Sequence, residues 1–599
     1  MISNNNEKAG GKMNNVDTNK RLPSIEKPWM QFFSEEAQKA EVPKATLYEA
    51  VHSRNAGFEN DTALVYLGKE ISYKEFFRNV NKAASAFEAL GVRKGDVVGC
   101  ASVTIPEMAY AMYGLSKIGA TIMTLDPRLS ADAMKLFLKK SGASVMLLID
   151  NFYEKLTEDL CDSDLKKLII ISPDTSLPMT LKVLKQFKMP RPKVSENVKV
   201  IRWESFVKTG SDKAENSYTA TYGENDVAAI TLTGGTTGMP KGVMLSNDGF
   251  NAVATSFENC GVRYTRDQKF LNIIPSFASY GIVASLHMPL FLGVTDVIIP
   301  KFDQDKVGEY VKKYRPAHTL MVPAHYEKLM NSKEMQDGFD LSFFETAGSG
   351  GDTMNAGTEA KLNGFLKDHG SRFPLSQGYG MSEVSSAGSC YCNGNFRSLS
   401  VGYPLLTNTI SIFEPGTSNE LTYGEEGEIC MTGPQNMIGY LNDPEETANV
   451  MIEHPDGQVW IHSGDIGYID EDGFLFIKGR IKRMVTMFNG HKIFPAQIEG
   501  VISKHPAVRS CACVGADDLE HAQGENPIAF VVLKEGENQA AVLEELKAMY
   551  VAELDDLSRP VDTVFMEHFP REGMGKISYK TLSKDYNEAQ ARAKAAKAG

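Results

Sequence analysis

The sequence predicts an α/β protein built on parallel sheets, with helices on both faces of each sheet. Helix-like and strand-like patterns alternate between residues 72 and 149, which is typical of parallel strands joined by crossover helices. From about residue 395 to 478, short alternating runs separated by Gly, Asp and Pro turns indicate antiparallel strands. A smaller α/β section follows from about residue 483.

The alternation is clearest in the first part of the chain. Ser72 and Glu75 form a capping box, the apolar residues after them recur at helical spacing, and Gly91 is placed to end the helix. Pro106 stands in the first turn of the next helix. The further predicted elements are strands over 97–100, 120–124 and 144–149 and helices over 106–118 and 131–141.

Composition and charge exclude several classes of protein. A chain of 599 residues is long enough for more than one domain, and 42% hydrophobic with 23% charged residues is ordinary for a soluble globular protein. The net charge of −13 argues against a general nucleic-acid binder, which carries a basic face. The eight cysteines lack Cys-x-x-Cys spacing, so we interpret them as buried thiols in a reducing compartment.

The two ends of the chain are polar. Residues 1–25 are rich in Asn, Lys and Gly, so we expect a disordered tail there. The last dozen residues are rich in Ala and Lys, and we expect a frayed helical tail over residues 586–599. The N-terminal segment lacks the apolar core of a secretory signal, and no stretch reaches ~18 uninterrupted apolar residues. We therefore expect a cytoplasmic protein without a membrane span.

One basic segment supports two interpretations. Residues 175–195 contain no acidic residue, and Leu177, Leu181 and Leu184 fall on one helical face. Weak peripheral contact with anionic lipid through residues 177–193 is one interpretation. A surface helix packed on the body of the protein is the one we favour.

The segment Leu232 to Met244 constrains function more than any other. It holds four glycines, three threonines and one lysine, directly after an apolar run. Glycines let backbone N–H groups line a concave surface that binds phosphate, and hydroxyls and a lysine add donors and charge. The predicted phosphate-binding residues are Thr233, Gly234, Gly235, Thr236, Thr237, Gly238 and Lys241. Since Gly242 follows the lysine, this is not the usual strand-to-helix phosphate loop, which needs Ser or Thr there.

Two later segments suit a nucleotide and a metal ion. A second glycine cluster contains Gly350 and Gly351, and about 25 residues later comes Ser-Gln-Gly-Tyr-Gly-Met-Ser-Glu over 376–383. Its small residues leave room for a flat group beside Tyr379. A carboxylate such as Glu383 is the natural protein ligand for Mg²⁺ near bound phosphates.

Three further motifs complete the pattern: Trp-Ile-His-Ser-Gly-Asp over 460–465, Gly-Arg-Ile-Lys over 479–482, and Pro-Arg-Glu-Gly-Met-Gly-Lys-Ile over 570–577. In this order and spacing, the motifs resemble those of the AMP-forming adenylating superfamily of acyl- and aryl-CoA synthetases, luciferases and peptide-synthetase adenylation domains. The resemblance covers nearly all of residues 45–585 and is greatest to bacterial fatty-acyl-CoA synthetases.

The resemblance implies a fold and a domain division. It implies a large adenylating domain over 26–481, made of two doubly wound sheets plus a distorted β-barrel. A small, mobile α/β lid domain follows over 482–585, with Lys482 at the hinge between the two.

The resemblance also implies a role for each motif. Lys576 is the catalytic lysine, acting on the carboxylate and α-phosphate oxygens, while Asp465 and Arg480 bind the ribose. Glu383 is the second catalytic residue and the metal ligand. The remaining nucleotide-binding residues are Gly350, Gly351, Gln377, Gly378, Tyr379, Gly380 and Ser382.

The implied reaction joins a carboxylic acid to ATP, forms an acyl-adenylate, and transfers the acyl group to a thiol. We therefore expect ATP, Mg²⁺ and coenzyme A as cofactors and co-substrates. Coenzyme A is the favoured acceptor, a free-standing carrier protein is second, and light emission is remote. A non-catalytic relative that senses nucleotide or acyl groups is the competing class, but such relatives usually lose the lysine or the metal carboxylate.

The acid is less constrained than the reaction. The acyl pocket is predicted to contain Phe277, Ala278, Tyr280 and Gly380, and Gly380 stands where acetate-activating relatives carry a bulky Trp. An open pocket favours a medium- or long-chain fatty acid, with an aryl acid as runner-up. Gly234 in place of Ser, Ala278 in place of His, and one extra residue after Lys482 depart from the family pattern and leave substrate identity open.

Overall fold

The structure, a computed structural model, describes residues 21–178, 181, 194, 196, 199–210, 218–233, 240–352, 354–391, 394–521, 523–572 and 576–598. The predicted N-terminal tail extends to residue 25, but residues 21–25 are already folded. Pro23–Glu26 is a short helix, and Ser24 Oγ donates a hydrogen bond to Glu420 at 2.7 Å. Folded structure begins earlier than composition predicts because a distant carboxylate anchors this segment.

An eight-stranded sheet contains the strands predicted between residues 97 and 149. Six of its strands are parallel, and two antiparallel strands extend one edge. In spatial order its strands are Gly439–Tyr440, Lys241–Ser246, Val227–Thr233, Thr121–Leu125, Val97–Ala101, Val145–Ile149, Lys167–Ile171 and Val200–Arg202. The predicted positions of the three central strands are confirmed to within one residue.

A nine-stranded sheet is the second large sheet. Its six central strands are parallel, and antiparallel strands lie at both edges. In spatial order its strands are Tyr403–Pro404, Ser389–Cys390, Ser376–Tyr379, Thr346–Ser349, His318–Met321, Lys269–Asn272, Thr295–Ile298, Thr62–Tyr66 and Lys69–Ser72. The α/β class with parallel sheets is therefore confirmed.

A third sheet is antiparallel, as the short alternating runs predict. It has five strands in the region where the family resemblance implies a distorted barrel. The strands are Thr409–Phe413, Gly427–Thr432, Val459–Ile469, Met451–Glu453 and Leu475–Arg480. The longest, Val459–Ile469, pairs on both of its edges and carries the predicted ribose ligand.

Helices pack between and around the sheets. Every residue of Pro106–Ile118 is buried, and one hydrophobic cluster joins this helix to strands of both large sheets. Proline in its first turn and Gly119 in the left-handed region (φ 73°) set its two ends. The other helices of eight or more residues are Leu47–Arg54, Tyr73–Ala89, Ala131–Ser141, Tyr153–Cys161, Asn247–Glu258, Val307–Tyr314, Pro323–Met330, Ala356–Asp368, Pro495–Ile502, Gln539–Glu553 and Tyr579–Ala598. Shorter helices are Trp203–Lys208, Met288–Leu292, Lys333–Gln336 and Pro444–Val450, and Tyr280–His287 is π-helical.

The C-terminal section has its own small sheets and hydrophobic clusters. Its strands are Val508–Asp517, Glu525–Leu533 and Asp562–Phe565, with two-stranded pairs Val485–Thr486/Lys492–Ile493 and Arg571–Glu572/Lys576–Ile577. The tail predicted over 586–599 is helical, as expected, because the helix Tyr579–Ala598 continues through it. Tyr586 packs against one of the hydrophobic clusters of this section. The division at residue 482 stays a prediction.

Two expectations concern membranes. Among the residues that the structure describes, no helix is both long and apolar enough to cross a membrane. Most of the basic segment 177–193 lies outside the described residues, so lipid contact through it stays a prediction. Location in the cytoplasm stays a prediction.

Candidate active site

A cleft of about 3240 Å³ collects most of the predicted site residues. Its walls come from all three large sheets and from the C-terminal section. The predicted residues that line it are Thr233, Lys241, Phe277, Ala278, Tyr280, Gly350, Gly351, Gln377, Gly378, Tyr379, Gly380, Ser382, Glu383, Asp465, Arg480 and Lys482. Gly234, Gly235, Thr236, Thr237, Gly238 and the side chain of Lys576 lie outside the described residues.

The cleft forms where strands of the two large sheets end. Thr346–Ser349 and Ser376–Tyr379 are parallel neighbours, and their carboxyl ends lead into Gly350 and Gly380. Open α/β sheets bind ligands at this edge because the loops diverge there. Gly351 has φ 81°, a left-handed backbone that glycine adopts without strain, so the chain can turn sharply beside the cleft.

One end of the cleft is organised around Asp465. Tyr379 donates its hydroxyl to Asp465 Oδ2 at 2.6 Å, and Arg480 Nε lies 2.8 Å from Oδ1. Arg480 is the cross-strand partner of Asp465, so the antiparallel sheet fixes this pair. Burial raises the pKa of Asp465 although Arg480 and Tyr379 favour its ionised form. The arrangement presents a buried, oriented carboxylate that can accept hydrogen bonds from hydroxyl groups.

The other end brings a cation and two carboxylates together. Lys241 Nζ lies 2.5 Å from Glu446 Oε2 and 4.8 Å from the centre of the Tyr440 ring. Tyr440 donates its hydroxyl to Glu383 Oε1 at 2.7 Å. Burial and the Glu383 carboxylate raise the pKa of this phenol, so it remains a donor. These contacts place the predicted phosphate lysine beside the predicted metal carboxylate.

The residues around Glu383 suit a hard cation. Ser382, which precedes it, shares a hydrogen bond of 2.9 Å with Ser279 across the cleft wall. Carboxylate and hydroxyl oxygens next to a phosphate-binding lysine are the donors that Mg²⁺ uses when it binds through phosphates. The chemistry of this donor set therefore fits Mg²⁺.

Comparison with known proteins decides the family. The sequence profile of the AMP-binding enzyme matches residues 51–441, and that of the AMP-binding enzyme C-terminal domain matches residues 497–576. The chain belongs to the AMP-binding enzyme family. The resemblance carried by the motifs is thereby confirmed, together with the expectation of an AMP-forming acid–CoA ligase.

Individual relatives agree with this assignment. The chain is 28% identical over 572 residues to a long-chain-fatty-acid–CoA ligase of Bacillus subtilis, covering 94% of this chain and 99% of the relative. It is 29% identical over 512 residues to a 4-coumarate–CoA ligase of Vanilla planifolia, covering 84% and 86%. The fold matches ATP-bound MatB from Rhodopseudomonas palustris with a TM-score of 0.76 at 22% identity, covering 91% of this chain and 99% of MatB. It also matches an anthranilate CoA ligase in complex with anthranoyl-AMP, with a TM-score of 0.76 at 20% identity, covering 93% and 99%.

The C-terminal section of this AMP-binding enzyme reaches the cleft. Lys576 lies in a short hairpin strand opposite Glu572, and the next residue, Ile577, lines the cleft. Tyr579 also lines it, and the Arg483 guanidinium stacks 3.7 Å from the centre of its ring. The backbone of Lys576 is therefore at the cleft, whereas the role of its amine stays a prediction.

Gly380 departs from the prediction made for it. The sequence predicts that the missing side chain of Gly380 opens the acyl pocket. A Cβ at this position would lie 2.1 Å from the backbone oxygen of Ser386 and 2.7 Å from Cα of Ala387. Gly380 lines the cleft, but the space beside it is filled by backbone, so it allows two chain segments to approach and does not open the pocket.

Sequence reasoning missed several residues of the site. Tyr440 and Glu446 carry no local motif, and they reach Lys241 because Gly439–Tyr440 pairs with the strand that begins at Lys241. A buried group beneath Asp465, made of Glu428, His462 and His454, was also missed. His462 lies within the Trp-Ile-His-Ser-Gly-Asp motif, but no local pattern predicts its contacts. Pairing of Val459–Ile469 with Gly427–Thr432 and with Met451–Glu453 brings Glu428 and His454 to it.

Proposed function

We propose that this AMP-binding enzyme activates a medium- or long-chain fatty acid as an acyl-adenylate and transfers the acyl group to coenzyme A. The observation that carries the proposal is one cleft that combines three features. It has the Lys241–Glu383 corner for phosphates, the Tyr379–Asp465–Arg480 corner for ribose, and an apolar wall.

In the first half-reaction, a carboxylate oxygen of the acid attacks the α-phosphorus of ATP. An O–P bond forms, the bond between the α- and β-phosphates breaks, and pyrophosphate leaves with its electron pair. Both reactants are anions, so catalysis depends on positioning and on stabilising charge. We assign Lys576 to the carboxylate and α-phosphate oxygens, and Lys241 with its loop to the β- and γ-phosphates.

The nucleotide would be held at both ends of the cleft. Asp465 and Arg480 would bind the ribose hydroxyls, and the Gly350–Gly351 turn and Tyr379 would flank the base. Glu383 and Ser382 would hold Mg²⁺, which when bound supplies positive charge to the phosphates. The Tyr440 hydroxyl orients Glu383 through its hydrogen bond.

In the second half-reaction, the thiol sulfur of coenzyme A attacks the acyl carbon. A C–S bond forms, the bond from the acyl carbon to the phosphate oxygen breaks, AMP leaves, and the thiol proton passes to solvent. We propose that the small section rotates about Lys482 between the two steps, so that Lys576 withdraws and a path for the thiol opens. Enclosing the adenylate protects it from water.

The apolar wall supports a fatty acid. Side chains from a helix, the loop after it, a π-helical segment and a strand lie there in one hydrophobic cluster, namely Phe257, Val262, Tyr264, Ala284 and Leu320. Such a wall gains free energy by burying methylene groups, about 0.8 kcal/mol for each. The long-chain-fatty-acid–CoA ligase of Bacillus subtilis is also matched over 99% of its length.

An aryl acid is the second candidate. The aromatic rings of Phe277, Tyr280 and Tyr264 line the same cleft, and 4-coumarate–CoA ligases are among the relatives. Aromatic rings bind another ring by offset or edge-to-face contacts worth about 0.5–1.5 kcal/mol beyond burial. The rings therefore suit a flat substrate as well as an alkyl chain.

A panel of acids tests the proposal. The purified enzyme is supplied with ATP, Mg²⁺ and coenzyme A, and AMP and thioester are quantified for straight-chain acids from acetate to palmitate and for benzoate and coumarate. We expect kcat/KM to rise with chain length, by up to about fourfold per buried methylene. A preference for coumarate would show that the substrate is an aryl acid and not a fatty acid. If AMP is released but thioester forms only after a carrier protein is added, the acyl acceptor is the carrier protein and not coenzyme A.

A further inference from the structure

A strand irregularity shapes the ribose end of the cleft. In the pairing of Gly427–Thr432 with Val459–Ile469, Cys430 lies opposite His462 while Glu428 lies opposite Ile466. The second strand therefore bulges between these pairs, and the bulge contains Asp465. A bulge turns a side chain away from its regular direction and leaves backbone groups without a partner in the ladder. Something else must hold the bulge in place.

The Glu428 side chain fills that role. Its Oε1 accepts the backbone N–H of Gly464 at 2.9 Å, and its Oε2 accepts from His462 Nδ1 at 2.9 Å. The Glu428 and His462 side chains are 8% and 6% exposed. Gly464 has φ 70° and directly precedes Asp465. The buried carboxylate thus fixes the peptide group that sets the direction of the ribose ligand.

The chain of hydrogen bonds continues to a second histidine. His462 Nε2 lies 2.9 Å from His454 Nε2, and His454 packs against the rings of Phe413 and Trp460. Because His462 Nδ1 donates to Glu428, its Nε2 accepts, so His454 must donate from Nε2. His454 Nδ1 is then an acceptor, and it is buried without a hydrogen-bond partner. One arrangement of tautomers satisfies these contacts with both imidazoles neutral.

Burial keeps that arrangement stable. Desolvation lowers the pKa of His454, and the neighbouring His462 lowers it further. A proton added at His454 Nδ1 would find no acceptor there. A neutral His454 thus donates to His462, His462 donates to Glu428, and these hydrogen bonds hold the carboxylate in a single orientation.

We propose that Glu428, His462 and His454 are positioning residues for the nucleotide. They hold the Gly464–Asp465 bulge so that Asp465 can accept hydrogen bonds from the ribose hydroxyls. The inference rests on the ribose role proposed above for Asp465. It goes further by assigning ribose selectivity to three residues, of which His454 is not among the cleft-lining residues.

A metal ion is the competing explanation for this group. Ligand atoms of Glu428, Cys430 and His462 lie within 4.8 Å of one another. However, His462 uses Nδ1 towards Glu428 and Nε2 towards His454, so neither nitrogen keeps a lone pair for a metal without breaking a hydrogen bond. Burial also raises the pKa of the Cys430 thiol, which disfavours the thiolate that metals bind.

The test measures ribose selectivity by titration calorimetry. The dissociation constants of AMP, 2′-deoxy-AMP and 3′-deoxy-AMP are compared in the full-length enzyme and its variants. We expect the wild type to prefer AMP by about tenfold or more, because a buried acceptor left unpaired is costly. His454→Leu and Glu428→Gln should reduce that preference by at least about threefold, and His454→Gln, which restores a donor near Nε2, should recover it.

Further variants keep the outcome decisive. His462→Asn retains a donor near the position of Nδ1 and is used if His454→Leu fails to fold. Its preference for AMP should fall less than that of His462→Leu. His287→Gln removes another fully buried imidazole, bonded to Tyr113, and should leave the preference unchanged. A general loss of packing would instead weaken the binding of all three nucleotides by the same factor.

Two results would overturn the inference. Wild-type selectivity in folded His454→Leu and Glu428→Gln would show that the bulge does not depend on these residues. One firmly bound zinc or iron per chain by elemental analysis would replace the hydrogen-bonded chain by a metal site. Unchanged selectivity in Asp465→Asn would be a separate failure, because it would refute the ribose role itself.

Discussion

At the end of the cleft where we propose that the phosphates bind, the lysine predicted to bind ATP already has a partner. Lys241 is paired with Glu446, whose side chain is 44% exposed, and it lies over the Tyr440 ring. A phosphate that binds Lys241 must compete with this carboxylate. Ion pairs this exposed contribute about 0.2–1 kcal/mol, so the competition is weak but measurable.

We therefore expect Glu446→Gln to lower the KM for ATP by about two- to fivefold. Glu445→Gln is the matched control, because Glu445 is the neighbouring carboxylate on the same helix and is exposed. Initial rates of pyrophosphate release over a range of ATP concentrations provide the measurement. A higher KM in Glu446→Gln would mean that this carboxylate helps to hold ATP, for example through its metal ion.

The lysine of the last motif gives a second prediction at this scale. Lys576→Ala should reduce adenylate formation by about 10²–10³, the effect of removing one preorganised charge donor. It should spare thioester formation from a supplied acyl-adenylate. Lys547→Ala, an exposed lysine of the same section paired with Glu544, is the control. Equal loss in both half-reactions would contradict the assignment of Lys576 to adenylation.

At the scale of elements, the turn after Ser376–Tyr379 depends on close backbone packing. Gly380 lies against Ser386 and Ala387, and Ser385 and Ser386 both have positive φ, 51° and 90°. Non-glycine residues in this region are strained, and such strain persists where surrounding structure fixes it. This turn carries Glu383, so its shape controls where the carboxylate proposed to bind the metal lies.

Gly380→Ala should lower the thermal unfolding temperature and the activity together, because its Cβ would meet backbone that cannot move aside. Gly364→Ala is the contrasting variant. Gly364 lies inside the helix Ala356–Asp368, with nothing within 4 Å of the added Cβ. It should raise stability by about 0.5–1 kcal/mol and leave activity unchanged. Differential scanning fluorimetry with an activity assay compares the two, and a stable, active Gly380→Ala would show that the turn can relax.

At the scale of the whole molecule, one cleft has to serve two reactions. Residues of the C-terminal section line it together with the large sheets, so a change in the position of that section changes the site. Lys482, the proposed hinge, is exposed in the turn Ile481–Arg483. An exposed turn can absorb a backbone rotation with little loss of packing.

We expect Lys482→Pro to retain pyrophosphate release and to slow thioester formation by about tenfold or more, since proline fixes φ at the hinge. Lys482→Ala should support both steps. Quenched-flow measurement of acyl-adenylate and thioester separates them, and the adenylate should accumulate in the proline variant. Normal thioester formation there would place the hinge elsewhere.

Agreement between sequence and structure follows the range of the interactions involved. The helix Pro106–Ile118 has the predicted bounds because proline at its start and glycine after its end are local determinants. The start of the folded chain was misjudged because Ser24 is held by a contact with the distant residue Glu420. Gly380 was misjudged because the backbone that fills its space follows a turn that no local pattern describes.

The sequence by itself determined the α/β class, the order of the motifs and the family, because hydrophobic periodicity and glycine-rich motifs are local properties of the chain. Only the tertiary structure decided that Tyr440 and Glu446 meet Lys241 and Glu383, and that Glu428, His462 and His454 lie beneath Asp465. Strand pairing makes these contacts, and pairing depends on register between segments distant in sequence. The motifs therefore determine which chemical groups the cleft contains, while pairing within the sheets determines their geometry.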